Sequence, residues 1–303
     1  MEKYKYHLLA ILACLGWGSA FAFIKMTLEY APTFQLSGMR FILAGIILLP
    51  FLFKKSENWK ALLSEWKFIL LFSFFQIFLQ YSLYFEGISL IPASAAAIVV
   101  GSSPLVVFVM AHFAFHNDKF TISKIISVAL GMLGVVIMTL NGGSFEGNSE
   151  YYLWGITLVL LSVIVNSSVN IIVVKNTRPI SAIMLTAVSN FIGGVMLYIF
   201  SAFVEDMTPL NEFVPEFWIN LLVLAIISSL GFSIWFYLLK IPTLKVSEIN
   251  IWKFIIPVFG AVFSWIIFTD DNPDTLSIFG IISIALSILI LQIPNIKNKK
   301  NRV

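Results

Sequence analysis

The chain has 303 residues, of which 59% are hydrophobic and only 12% charged, with a formal net charge of +3. A water-soluble domain runs nearer half apolar and a quarter charged, so this composition excludes a soluble enzyme or binding module and indicates a polytopic membrane protein. Cys14 is the only cysteine, which excludes an intrachain disulfide and a thiolate metal cluster.

In chain order, hydropathy places ten candidate spans at 7–29, 33–53, 66–87, 92–115, 121–140, 152–175, 181–204, 215–240, 246–268 and 273–293. Each is long enough to cross a bilayer as a helix. The first is too long, and too soon followed by a second, to be read as a cleaved signal peptide. No soluble domain, low-complexity segment or nucleotide-binding signature interrupts the spans. Nucleic acid, a bound cofactor and ATP-driven pumping therefore have no place in the expectation.

The basic residues alternate between loops. Lys3 and Lys5 precede the first span, Lys54, Lys55, Lys60 and Lys67 fill the second loop, and Lys119 and Lys124 the fourth. Lys175 and Arg178, Lys240 and Lys245, and the tail from Lys297 to Arg302 continue the series. The odd-numbered loops hold no Lys or Arg; they carry Glu146, Glu150, Glu205, Asp206, Glu212, Glu216, Asp270, Asp271 and Asp274. Loops rich in Lys and Arg stay in the cytoplasm, so both termini are expected there.

The stretch Tyr84 to Pro104 returns as Tyr237 to Pro257. With Pro104 laid on Pro257, Tyr84 falls on Tyr237, Ser94 on Ser247, Phe115 on Phe268 and Asp118 on Asp271. The expected units are residues 1–145 and 146–303. Five spans per unit is an odd number, so the second unit enters from the opposite side. Inverted repeats of this kind are common in secondary transporters, with the substrate site between the repeats near the midplane.

This pattern resembles the EamA-type branch of the drug/metabolite transporter superfamily. The resemblance rests on Gly16-Trp17-Gly18-Ser19, the Tyr84 to Pro104 hairpin and its echo, and Asp118 followed by Gly131 and Gly134. That family usually has Glu after the fourth and ninth spans, where Asp118 and Asp271 stand here. The resemblance implies an all-α membrane protein of ten helices around a central cavity, moving small metabolites and often exporting them.

Charged residues within spans default to function or pairing. Lys25, Glu29, Arg40 and Glu86 fall in the outer third and form the expected outer gate or coupling group, the alternative being a structural ion-pair cluster. Glu248 is a further coupling candidate. Lys253 stands about 10 Å into the ninth span, without a partner at four-residue spacing. It either snorkels or faces a substrate carboxylate or phosphate. Gln76, Gln80 and Tyr84 share one face of the third span, and Ser162, Asn166 and Asn170 one face of the sixth. Both faces must look inward, as interhelical glue or as a cavity wall. Trp17, Trp235, Tyr237 and Trp252 are the aromatic candidates for the site.

Pro104 and Pro257 are expected to kink the fourth and ninth spans. Gly16, Gly18, Gly193 and Gly194 read as close-approach points between helices. His112 and His116 are four apart, but no third ligand is evident, so no metal is assigned. The expected function is export of a small polar metabolite, an amino acid or related carboxylate-bearing compound, by alternating access. The alternative is a lipid-linked substrate flippase or a membrane-embedded enzyme, for which His112, His116 and Asp118 are the only catalytic grouping.

Overall fold

An apolar run in lipid has no water to satisfy its N–H and C=O groups, so it closes its hydrogen bonds on itself as a helix. The computed structural model describes residues 2–53, 56–91, 96, 99–139, 149–267 and 275–300, and among them there is no β-strand. The expectations for Lys54, Lys55, Ser94, Glu146, Phe268, Asp270, Asp271, Asp274 and Arg302 lie outside the described residues.

The helices are α1 (Glu2–Thr27), α2 (Thr33–Phe53), α3 (Ser56–Ser64), α4 (Trp66–Ser89), α5 (Val99–Ala114), α6 (Ile122–Thr139), α7 (Ser149–Lys175), α8 (Ala182–Val204), α9 (Pro215–Leu239), α10 (Val246–Asn250), α11 (Ile255–Ile267) and α12 (Thr275–Lys300). Seven stretches are long and apolar enough to cross a membrane: Tyr4–Thr27, Thr33–Leu52, Trp66–Ser89, Tyr151–Lys175, Ala182–Val204, Pro215–Leu239 and Val246–Phe263. Three shorter apolar helices stand where the fourth, fifth and tenth spans were expected. The chain is a multi-pass membrane protein. The short α3 falls in a stretch read as loop.

Three local departures shape the interior. A π-helical turn at Phe74–Leu79 divides α4 and carries Gln76. A π turn changes the rotation between successive side chains, so Gln76 and Gln80 leave the register of a simple α-helical stripe. Helix α5 is interrupted by a turn at Ser102, just ahead of Pro104. Between α10 and α11 the chain tightens into a 3₁₀ segment, Ile251–Phe254, just ahead of Pro257. Both breaks occur where a proline withholds a backbone donor from the preceding turn.

The packing has an internal symmetry. Helix α1 packs on α9 and α11, while α7 packs on α4 and α5. Helix α2 packs on α9, while α8 packs on the π turn of α4. Exchanging the first five spans for the last five maps this pattern onto itself.

Two pairs map onto themselves, α2 with α8 and α6 with α12. Their registers run antiparallel. Gly38 faces Tyr198, Gly194 faces Phe41 and Ile42, and Gly45 faces Phe191. Ser127 and Ser287 exchange hydrogen bonds between hydroxyls and backbone carbonyls at 2.7 and 2.6 Å. Ser283 reaches the Leu130 carbonyl at 2.8 Å, and Gly134 faces Gly280. Glycine is required along these seams: a Cβ at Gly38 would lie 2.7 Å from the Tyr198 nitrogen, and one at Gly45 2.7 Å from the Phe191 nitrogen.

Candidate functional site

Five helical segments converge on a chain of polar contacts inside the bundle. Lys253, in the 3₁₀ segment, donates from Nζ to Asn166 Oδ1 at 3.1 Å. Asn166 Nδ2 donates to Gln80 Oε1 at 3.1 Å. One turn along α7, Asn170 Nδ2 donates to the Asn166 carbonyl at 2.9 Å. Trp235 Nε1 closes the chain on Asn170 Oδ1 at 2.7 Å. The Lys253 ammonium lies 4.8 Å from the Trp235 ring centroid, and Trp17 packs on Trp235 with centroids 5.3 Å apart.

The amides thus satisfy one another, and the lysine retains donors beyond the one used by Asn166. Among the described residues no carboxylate pairs with Lys253. A cation so placed is costly unless an anion meets it, and the indole face supplies only part of that compensation.

Gln76 is buried a turn away on α4, and neither its nitrogen nor its oxygen makes a hydrogen bond among the described residues. Asn190, on the adjacent α8, is in the same condition. Sequence reading did not single out Asn190, although an amide inside an apolar run was a sufficient signal.

Trp252 turns away from this group and donates from Nε1 to His7 Nδ1 at 3.0 Å, tying the ninth span to the start of α1. An indole N–H only donates, so this bond requires the His7 Nδ1 lone pair. Tyr84 packs against Tyr81 and Phe85 near Arg40 instead of joining Lys253. Tyr237 is 43% exposed, while Trp235 and Phe236 beside it are buried. The repeat alignment carried it into the candidate set, but two residues from Trp235 is roughly the opposite face of a helix.

The four residues of the expected outer group differ in exposure. Lys25, Glu29 and Glu86 are exposed. Arg40 is buried and donates from Nε to Ser228 Oγ at 2.7 Å, with its guanidinium 5.2 Å from the Phe41 centroid. A cross-helix hydroxyl replaces the anticipated carboxylate partner. At the other end, Glu248 is half-buried, with Oε1 3.8 Å from Lys245 Nζ.

Further polar contacts between the two halves lie at the ends of the bundle. Asp118 is buried, pairs with Lys124, and accepts from the Ser247 N–H at 2.9 Å and the Ser247 hydroxyl at 2.5 Å. Lys124 had been counted among solvated loop lysines, yet it is 3% exposed. At the opposite end, Glu205 accepts from the N–H groups of Phe34 and Gln35 at 2.8 and 3.0 Å, capping α2. Negative charge at a helix N-terminus satisfies donors that have no partner within the helix. Lys240, just beyond α9, donates to the Ile180 carbonyl, and burial holds its ammonium below the usual lysine value. His112 is engaged locally, its Nδ1 accepting the Phe120 N–H at 3.1 Å.

The sequence profile of the EamA-like transporter family matches residues 4–140 and again residues 153–293. The chain belongs to the EamA-like transporter family. This EamA-like protein is 27% identical over 282 residues to an uncharacterized transporter of Archaeoglobus fulgidus, covering 93% of this chain and 95% of the relative. It is 25% identical to the uncharacterized transporter YvbV of Bacillus subtilis, over 100% of this chain and 95% of the relative. A Chlamydia muridarum protein named S-adenosylmethionine/S-adenosylhomocysteine transporter is 24% identical, covering 88% and 86%. One solved crystal structure superposes with a TM-score of 0.81 at 16% identity, covering 96% of this chain and 97% of its own, which establishes a shared fold. The family and these three relatives are all named as transporters.

Proposed function

We propose that this EamA-like transporter carries a small carboxylate-bearing metabolite, an amino acid or a close derivative, outward by alternating access. Two inverted five-helix repeats, residues 1–145 and 146–303, cross the membrane ten times with both termini in the cytoplasm. The antiparallel registers of α2 with α8 and of α6 with α12 support the inversion. Equivalent helices related by an axis along the membrane normal run parallel; only an axis in the membrane plane makes them antiparallel.

The observation that carries the substrate class is Lys253. Its ammonium is held by Asn166 and by the face of Trp235, beside donors and acceptors from Gln80 and Asn170. Gln76, with neither amide atom bonded among the described residues, adds a donor and an acceptor one turn away along α4. A substrate carboxylate supplies the missing anion, and Trp17 and Trp235 offer faces to its apolar or cationic part. The chlamydial relative's named substrate, S-adenosylmethionine, is itself an amino-acid derivative bearing a carboxylate and a cationic sulfonium, chemistry that suits this combination. Export follows from the resemblance noted above.

The test is counterflow in proteoliposomes across a panel of amino acids, S-adenosylmethionine and carboxylate-free metabolites. Exchange of a carboxylate-bearing compound is expected. No flux from the whole panel, together with rapid scrambling of a labelled lipid, replaces this reading with a flippase.

A further inference from the structure

Arg40 is a buried cation that the central polar chain leaves unexplained. Its guanidinium has five N–H donors, and among the described residues its hydrogen bond runs from Nε to Ser228 Oγ at 2.7 Å. The Tyr81 and Tyr84 rings lie within electrostatic reach. Among the described residues no carboxylate pairs with Arg40. The acids near this end are otherwise placed: Glu205 is committed to the backbone of Phe34 and Gln35, and Glu29 and Glu86 are exposed. A neutral hydroxyl does not neutralise a buried guanidinium.

Beside Arg40 lies a small crevice between α1, α2 and α4. Thr33, Ser37 and Arg40 form its polar wall, and Ile24, Leu28 and Phe85 its apolar wall. The three polar residues share one face of α2. The Ser37 and Thr33 hydroxyls make no hydrogen bond among the described residues. A guanidinium with hydroxyls at its side matches a carboxylate, whose two oxygens accept parallel N–H bonds.

Depth separates this place from Lys253. Arg40 stands seven positions after the start of α2 at one end of the bundle, and Lys253 seven positions after the start of α10 at the other. Each is therefore about 10 Å in from its own side, in a hydrocarbon core of about 30 Å.

We propose that Arg40, with the Ser37 and Thr33 hydroxyls, is a second carboxylate site at the extracytoplasmic end of the path, distinct from the Lys253 site. The proposal rests on the reading of the substrate as a carboxylate. A substrate leaving Lys253 is received by Arg40 before release, and the two cations belong to opposite repeats.

The test compares the two faces of oriented proteoliposomes, using the transported acid and its carboxamide. Arg40→Gln is expected to raise the KM for the acid at the extracytoplasmic face by about tenfold or more. The cytoplasmic-face KM stays within about twofold, and Arg40→Lys restores part of the loss because it keeps the charge but not the fork. An equal change at both faces, or none, overturns the proposal.

A second arm uses the unmutated protein and so does not depend on the variant folding. Phenylglyoxal modification is followed at each arginine by mass spectrometry, with acetate or acetamide as probe. Acetate is expected to slow modification of Arg40 and to leave Arg178, bridged to Glu65 at 2.8 Å, unchanged; acetamide slows neither. Equal rates at Arg40 with both probes overturn the site. Should wild-type protein carry no carboxylate compound while acetate still protects Arg40, the substrate reading fails and the anion site stands.

Discussion

Asp118 Oδ2 accepts the Ser247 N–H at 2.9 Å, fastening the loop after α5 to the first turn of α10. The contact crosses from the first family match to the second, because residue 118 lies within 4–140 and residue 247 within 153–293. It holds the start of the segment that carries Lys253.

Buried ion pairs are most costly when only one partner remains. Asp118→Asn retains an oxygen for Ser247 but leaves Lys124 buried without its anion. Thermal unfolding in detergent is expected to show a loss of about 3–5 kcal/mol. Adding Lys124→Met removes the orphaned charge and restores most of the stability. A double variant no more stable than Asp118→Asn alone would show that the pair is not what holds this end.

The α2–α8 seam makes a contrasting pair of glycine predictions. A Cβ at Gly38 meets the Tyr198 backbone, with its nitrogen at 2.7 Å and its Cα at 2.8 Å, and backbone cannot swing aside. Gly38→Ala is expected to cost about 1–3 kcal/mol through overpacking. At Gly16 the nearest atom is Ile227 Cγ2 at an ordinary 3.5 Å. Gly16→Ala is expected to change stability by less than about 0.5 kcal/mol. Fluorescence-detected size-exclusion after graded heating measures both, and similar behaviour of the two variants would contradict the packing account.

Asn166 links Gln80 to Lys253 and is the joint of the central chain. Asn166→Ala frees the ammonium and strands the Gln80 amide. Transport at subsaturating substrate is expected to fall roughly tenfold or more, the scale of a hydrogen bond to a charged group. Ser168, half-buried on the same helix and donating to the Ile164 carbonyl at 2.8 Å, is the control. Equal activity of Asn166→Ala and Ser168→Ala, at matched surface expression, would remove Asn166 from the site.

Much of this site was legible because two simple signals carried it. Amides four residues apart in an apolar run must face inward, and Gln80, Asn166 and Asn170 do meet. A lysine deep in a span needs company, and Lys253 has it. Other features depend on contacts distant in sequence. Lys124 reads as one more cytoplasmic lysine until the fold brings Ser247 to Asp118. Arg40 has acids within reach along the chain, but Ser228, 188 residues away, takes its Nε–H. The π turn at Phe74–Leu79 has no Gly or Pro to announce it. Tyr84 and Tyr237, aligned by the repeat, differ in setting: Tyr84 packs against Tyr81 and Phe85, whereas Tyr237 is 43% exposed.

The central claim is that Lys253 receives the substrate carboxylate. The direct measurement is the KM ratio between the transported acid and its carboxamide, in wild type and in Lys253→Ala, at matched reconstitution. Wild type is expected to favour the acid, and Lys253→Ala to lose that preference by weakening the acid alone, about tenfold or more. Lys253→Ala that carries the acid with unchanged KM and kcat would contradict the account.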